Sequence, residues 1–418
     1  MQNNNFKSQR NTYKLLEKIT SQKFKSELSL LKTLVQDLVN HKEFGVIGGR
    51  IWQINPVENV YSLKYQFGNL KKIPSDYSLA IDEQPILNKL IRQRTITNVE
   101  TDPLLQSKGI DVYSLTGVGE ILKLKSGKYY KYAIGFNAPE ILQTLNETLN
   151  ILSGVTSVAL RNLTAQAAHK KIRRDIVKAS EIQRNLLPDH KIKFYDYDVF
   201  GICIPDSEVS GDYFDYLKNA DFEEERLGIV ISDASSKGLP AAVQSLFLSG
   251  AMRMGLGFAT KMSSLFSRLN TLIWETFPNE RFVTLFYCEL TLSSNRLALY
   301  TNAGHCSPIH YHPDTDEIKF LGPTGGMLGV VENQKFGVEN IRMRPGDVLI
   351  LYTDGITESQ DNMGNMFGED RLIELIKKYH SESPEAIAYN ILEEVQKFTI
   401  DSLYSDDKTL VVVKRDSN

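Results

Sequence analysis

The stretch LGIVISDASSKGLPAA, Leu227 to Ala242, decides how the chain is read. Its first six residues form an apolar run of strand length, and a helix is predicted from Leu239 to Met254. Asp233 stands between them, at a strand end beside small residues. The same arrangement recurs at Ser210-Gly211-Asp212, at Thr353-Asp354-Gly355 after DVLILYT, and at Ser405-Asp406-Asp407 before TLVVVKR. Taken singly, each aspartate reads as a turn or cap residue, because Asp beside Gly is common in turns and hairpins. Jointly they say more. Antiparallel neighbours can bring Asp233, Asp354 and Asp406 to one edge of a sheet, where like charges repel, and such a cluster persists only around cations. Hard oxygen ligands favour Mg²⁺ or Mn²⁺.

Further strands are predicted at Tyr197–Ile204, Phe282–Thr291, Arg296–Tyr300, Asp347–Thr353 and Leu410–Lys414, and helices at Lys261–Glu275, Glu369–Tyr379 and Pro384–Phe398. Strand clusters separated by paired helices predict a layered α/β sandwich. The front of the chain has a different rhythm. Residues 1–41 read as helix with no proline or glycine to interrupt them. Strands follow at Phe44–Ile54 and Val60–Phe67, then a helix at Pro85–Arg94 and strands at Gly119–Leu124 and Tyr129–Phe136. This pattern predicts a mixed α+β domain. Asn137-Ala138-Pro139-Glu140 has the signature of a helix start. The long helix it opens carries Leu142, Leu145, Leu149, Leu152 and Leu163, then, after a break in phase, Ile172, Ile176, Ala179, Ile182 and Leu186, and it ends at Pro188. Such a stripe needs a partner, either its own domain or a second copy in a parallel two-helix coil.

At 418 residues the chain predicts two or three domains. Hydrophobic residues at 42% and charged residues at 24% belong to folded globular proteins and exclude disordered or collagenous classes. No apolar run approaches the roughly 18 to 20 residues of a membrane span, and the polar start MQNNNFKSQRN lacks a secretory apolar region, so a cytoplasmic protein is expected. Cys203, Cys288 and Cys306 lie far apart, with neither a disulfide framework nor a thiolate zinc site, and read as inert core thiols. Up to Asp189 there are 27 basic and 17 acidic residues, and beyond it 21 and 34. The front charges are scattered without the interleaved aromatics of a nucleic-acid binder. The acidic back half suits carboxylates gathered around cations.

From about Ala179 to Lys414 the chain resembles the SpoIIE-type branch of the metal-dependent protein phosphatases, relatives of protein phosphatase 2C. The matching blocks run in family order: ASEIQRNLLP at Ala179 to Pro188, VSGDYFD at Val209 to Asp215, SDASSKGLPAA at Ser232 to Ala242, RFVTLFY at Arg281 to Tyr287, NAGH at Asn302 to His305, GGMLG at Gly325 to Gly329, YTDGITES at Tyr352 to Ser359, FGEDRL at Phe367 to Leu372 and DDKT at Asp406 to Thr409. The resemblance implies two stacked β-sheets flanked by helices, an α-β-β-α sandwich. It also implies that Asp233 bridges two metal ions, with the Ala234 carbonyl on one, that Asp354 and Asp406 complete the other shell, and that Asp212 binds directly or through water. Paired dications would lower the pKa of a shared water that attacks phosphorus in line. Ser236 stands where the family usually has glycine, which would strain a turn that needs φ > 0. No arginine in the matching blocks before Asp212 is an obvious phosphate clamp, leaving Lys237 or water. His310 and His312 share a strand face, but without a third ligand they read as packing residues.

Residues 25–165 resemble a GAF domain more loosely, most of all in YSLTGVGEILKL at Tyr113 to Leu124 and NAPEI at Asn137 to Ile141. That resemblance implies small-molecule binding or dimerisation. The lack of any cysteine before Cys203 rules out a thioether-linked bilin there, and with only His41 and His169 available no haem pocket is expected. IGGR at Ile47 to Arg50 is not a phosphate loop. His169 lies near a signalling helix, but no glycine-rich ATP lid follows, which argues against a histidine kinase. The domain plan is a helical extension over 1–24, a GAF-like sensor over 25–165, a helical linker over 166–189 and a phosphatase domain over 190–418. The function implied is a Mg²⁺- or Mn²⁺-dependent protein serine/threonine phosphatase. It would act on a phosphorylated anti-anti-sigma-type regulator, probe its signal through the front domain and dimerise through the linker helix, with no nucleic acid or membrane partner. The alternative is a catalytically silent, GAF-linked docking dimer.

Overall fold

The computed structural model describes residues 2–75, 77–98, 106–107, 113–139, 143–219, 226–258, 261–277, 282–291, 297–400 and 406–416. The chain divides into two compact units, Met1–Ile172 and Arg173–Asn418. Among the described residues no helix is long and apolar enough to cross a membrane.

The first unit opens with two helices where the sequence predicted one, α1 (Gln2–Ser21) and α2 (Glu27–Asn40). Ser26 makes the break. Its Oγ accepts the Ser29 N–H at 3.2 Å, while Ser29 Oγ accepts the Ser26 N–H at 3.1 Å. This reciprocal cap starts a new helix without proline or glycine. The strand predicted from Phe44 begins only at Gly48, because Lys42–Phe44 form a 3-10 turn and Phe44 and Val46 serve as core anchors.

β1 (Gly48–Asn55), β2 (Val60–Gly68), β3 (Ser78–Ala80), β4 (Thr95–Asn98), β5 (Tyr113–Leu124) and β6 (Gly127–Asn137) make one sheet in the order β3-β2-β1-β6-β5-β4. β5 starts six residues before the predicted Gly119, and a register shift between Val118 and Ile121 interrupts the alternation on which a sequence pattern depends. Strand alternation sends Ile51, Tyr132, Ile134 and Phe136 to one face. There they pack on Leu31, Leu34 and Val35 of α2 and on Leu145, Leu149 and Leu152 of the long helix. Trp52, Tyr61, Leu115 and Ala133 build a separate core on the opposite face, joined by Leu87 of α3 (Pro85–Lys89). The long helix, α4, runs Gln143–Leu186 without a break. The expected helix start at Glu140 and the apolar Leu142 lie outside the described residues.

In the second unit β9 (Tyr213–Asn219), β10 (Arg226–Ala234), β11 (Val283–Thr291), β12 (Leu297–Ala303) and β15 (Glu339–Arg342) form a five-stranded sheet ordered β15-β12-β11-β10-β9. β7 (Lys191–Phe194), β8 (Tyr197–Ile204), β13 (Ile309–His312), β14 (Glu317–Phe320), β16 (Val348–Tyr352) and β17 (Lys408–Arg415) form a six-stranded sheet ordered β14-β13-β16-β17-β8-β7. Inward side chains of both sheets, among them Ile229, Ile231, Phe286, Leu349, Val411 and Val413, share one core. α5 (Leu239–Leu256) and α6 (Met262–Thr276) cover the outer face of the first sheet, while α8 (Gly368–Tyr379) and α9 (Pro384–Phe398) cover that of the second. α7 (Asp354–Thr357) is a single turn between β16 and α8. Arg281, Arg296 and Ser405, which belong to the predicted blocks and strand ends, lie outside the described residues.

Candidate metal centre

Strand pairing explains how distant aspartates meet. Ser232 of β10 pairs with Tyr213 of β9, so Asp233 at the end of one strand lies beside Asp212 at the start of the other. Tyr352 of β16 pairs with Leu410 of β17, which sets Asp354 just past one strand end and Asp406 just before the other. The carboxylates therefore come from two sheets, not from one sheet edge as the sequence suggested, and they meet where corresponding ends of the two sheets adjoin. Asp233, Asp354, Asp406 and Asp407 line a single cavity of about 360 Å³ together with Ala234, Lys237, Gly238, Thr284 and Met327.

Asp212 lies buried beside this cavity, with its carboxylate in contact with Asp233. Its Oδ2 accepts hydroxyl hydrogen bonds from Thr353 at 2.8 Å and Thr409 at 2.6 Å. Burial first, and then the charge of Asp233, pushes its pKa well above the carboxylate range. Burial, followed by Asp354, Asp406 and Asp407, pushes Asp233 up to about 7. Asp354 is raised by burial, then by Glu358 and Asp406. These residues resist carrying their charges together, and a divalent cation is the group that relieves the cost. Lys237 Nζ pairs with Asp406 Oδ2 at 2.7 Å. An all-oxygen, multiply anionic donor set with hydroxyl-fixed carboxylates fits a hard divalent cation.

Several contributors stand in the matching blocks with no role assigned from the sequence. Thr353 and Thr409 act through one shared acceptor atom, and nothing in a β-strand pattern marks a hydroxyl for that role. Asp407 accepts the Gly211 N–H at 2.6 Å and the Asp206 N–H at 2.8 Å, which ties the loop before β9 to the chain before β17. Gln183 near the end of α4 brackets Ser210, donating to its carbonyl at 2.6 Å and accepting its N–H at 3.0 Å, two residues from Asp212. Replacing Thr353 with valine removes one of the two donors on Asp212 and keeps the shape. A loss of about 10- to 100-fold in divalent-cation affinity is expected, with the fold retained, read as the metal concentration needed to shift thermal melting.

Ser236 is not strained. The left-handed backbone of this turn falls at Gly238, with φ 68°, and Ser236 Oγ donates to Gln244 at 2.8 Å. His305 is buried with Nδ1 2.9 Å from Thr284 Oγ1, and burial lowers its pKa to about 4, so it is neutral. His310 and His312 do have an acidic third partner: Asp347 lies 3.1 Å from His310 Nε2 and 2.8 Å from His312 Nδ1, and it accepts the Arg344 N–H. The three are close enough to share an ion. In the structure they pair with one another and tie the turn before β16 to β13. Burial pushes the Cys203 and Cys306 thiols up to about 12, and that of Cys288 higher still, so all three are poor nucleophiles at neutral pH.

Two stacked sheets between helix pairs, with an acidic cluster at adjoining strand ends, have the architecture of the PP2C class, the class of serine/threonine protein phosphatases. Residues 223–416 match the family model for Stage II sporulation protein E (SpoIIE). Those matched residues are a SpoIIE-family phosphatase domain. The chain is 24% identical over 276 residues to "Phosphoserine phosphatase RsbU" of Bacillus subtilis, covering 66% of this chain and 80% of that protein. It is 26% identical over 246 residues to "Phosphoserine phosphatase RsbP" of the same organism, covering 58% of each. Its fold is similar to the solved SiaA-PP2C domain of Pseudomonas aeruginosa, with a TM-score of 0.50, 20% identity, and coverage of 60% of this chain and 99% of that one.

Proposed function

We propose that the chain is a cytoplasmic, two-cation protein serine/threonine phosphatase that dephosphorylates a regulator of the anti-anti-sigma type in bacterial partner switching, with residues 25–165 as a GAF-like sensor. The observation that carries the proposal is the convergence of Asp233, Asp354 and Asp406 on one cavity from two sheets, with Asp212 buried beside it. The names of the RsbU and RsbP relatives support the phosphoserine substrate class. Asp212, Asp233, Asp354, Asp406 and the Ala234 carbonyl would hold two Mg²⁺ or Mn²⁺ ions, which when bound supply Lewis-acid charge and a water of lowered pKa. The chain's own part is to hold these oxygens in place: Thr353 and Thr409 fix Asp212, and Asp407 fixes the loop that carries it. Lys237, a cation in the cavity lining, would meet a phosphate oxygen.

Hydrolysis of a phosphoserine peptide with and without Mn²⁺, Mg²⁺ and a chelator tests the proposal. Turnover that appears only with a divalent cation and reverses with chelator is expected. Turnover indifferent to chelator, or absent with every cation, would reject it.

The linker helix supports a dimer. Ile151, Val158, Ala165, Ile172, Ala179 and Leu186 recur every seven residues, and Ile151, Val158, Ile172 and Leu186 are exposed, on a different face from Leu145, Leu149 and Leu152. An apolar seven-residue seam is the pattern of a two-helix coil. Val158→Glu with Ile172→Glu is expected to convert a dimer to a monomer in sedimentation. A monomeric wild-type chain at micromolar concentration would count against the seam.

A further inference from the structure

We propose that the first unit binds a short-chain monocarboxylate, of two or three carbons, in a cavity on the sheet face opposite α2, with Arg50 as its counter-ion. This does not depend on the phosphatase proposal.

Arg50 lies on β1, two residues from Trp52 and on the same face, and is 2% exposed. Its Nη1 donates to Asn137 Oδ1 at 3.0 Å and its Nη2 to the Lys71 carbonyl at 2.7 Å. Both acceptors are neutral. Nε has no partner among the described residues, and no described carboxylate pairs with the guanidinium. A buried charge satisfied only by neutral dipoles is costly, and arginine is almost never buried without a counter-charge. Burial accordingly lowers the guanidinium pKa from its ordinary value. The missing group is an anion that can accept an N–H from a planar donor, the role in which carboxylates match guanidinium geometry.

The cavity itself narrows the class. Arg50 and Asn137 sit at its polar end, while Trp52, Leu115 and Ala133 supply apolar walls. An apolar tail is therefore needed behind the charge, which disfavours a fully hydrated inorganic anion. One guanidinium and no second cation in the lining match a single negative charge. The cavity holds about 50 Å³. At roughly 10 to 15 Å³ for each water-sized position, that is space for about three to five heavy atoms, the size of acetate to propionate. Ala133 and Gly135 of β6 line this space, and a larger side chain at either would fill it.

The test uses the full chain and titrates acetate, propionate and butyrate, the neutral isostere propionamide, and nitrate, followed by calorimetry and ligand-detected NMR. Saturable binding of acetate or propionate below about 10 mM is expected, with propionate at least about tenfold tighter than propionamide, since loss of the charged acceptor leaves the guanidinium unpaired. Arg50→Met should abolish binding, and Arg50→Lys should weaken it by about tenfold or more, since lysine lacks the planar fork. Ala133→Val keeps the charge and narrows the cavity, and should shift preference from propionate to acetate. No acid binding below about 10 mM, acid and amide binding alike, or nitrate matching propionate would each overturn the proposal. Because the acid-to-amide comparison is made on the wild-type chain, it decides the matter even if an Arg50 variant fails to fold.

Discussion

Asp233→Ala is expected to lower divalent-cation-dependent phosphomonoester hydrolysis by about 10³-fold or more, equivalent to about 4 kcal/mol of transition-state stabilisation. Asp233 faces Asp212, Asp354, Asp406 and Asp407, so its removal alters every other carboxylate of the cluster. A structural signature accompanies the kinetic one. The folded-state pKa of Asp233, about 7, lies above the ordinary value of 3.8 that the unfolded chain would show. Between those values the folded protein holds a proton that the unfolded protein has released. In chelator, stability should therefore fall as pH rises from about 4 to about 7. Asp233→Asn should flatten that fall relative to wild type, and added Mn²⁺ should remove most of it in wild type alone. Urea midpoints at pH 5, 6 and 7.5, with and without metal, read both effects. A variant retaining full turnover, or chelated wild type that gains stability across this range relative to the Asn variant, would contradict the assignment.

Gly355→Ala should be nearly as damaging, for a purely steric reason. A Cβ on Gly355 would lie 1.9 Å from the Asp407 carbonyl oxygen and 2.9 Å from its carbon. Neither chain can easily retreat. The Thr353 N–H donates to the Thr409 carbonyl at 3.1 Å, and Thr353 Oγ1 accepts the Thr409 N–H at 3.0 Å. The methyl group must push apart the two segments that bring Asp354 to Asp406, so a destabilisation of about 2 to 4 kcal/mol and a large loss of metal affinity are expected together. Gly250→Ala is the control: Gly250 lies within α5, and a Cβ there meets nothing within 4 Å. It should stabilise by about 0.5 to 1 kcal/mol. Unfolding and metal titration of both variants distinguish crowding at the strand crossing from a general intolerance of glycine replacement.

The contrast between these two glycines shows where sequence reasoning ends. Both sit in apolar or turn-like surroundings, and only the approach of residue 407, more than fifty positions along the chain, separates them. Asp233, Asp354 and Asp406 were legible because each borders an apolar run that can only be a buried strand. The division between the sheets was not, since which strand pairs with which depends on contacts across tens to hundreds of residues. Thr353 and Thr409 were invisible for the same reason: a hydroxyl becomes a carboxylate clamp only when two strand ends meet over Asp212. The break at Ser26 was missed because a serine-only cap resembles ordinary helix surface. Arg50, in an IGGR segment set aside as no phosphate loop, shows its unusual burial only once β1 is flanked by β2 and β6.

By itself the sequence determined the strand-forming and helix-forming segments with strong periodicity, the positions of the acidic residues at their ends, and the order of family blocks, because these are properties of neighbouring residues. Tertiary structure alone decided that the carboxylates come from two sheets, which side chains hold Asp212, that Ser236 escapes strain, and that Arg50 has no counter-charge among the described residues. Each of these depends on distances through space between groups remote along the chain, and both burial and Coulomb energy are set by those distances rather than by sequence separation.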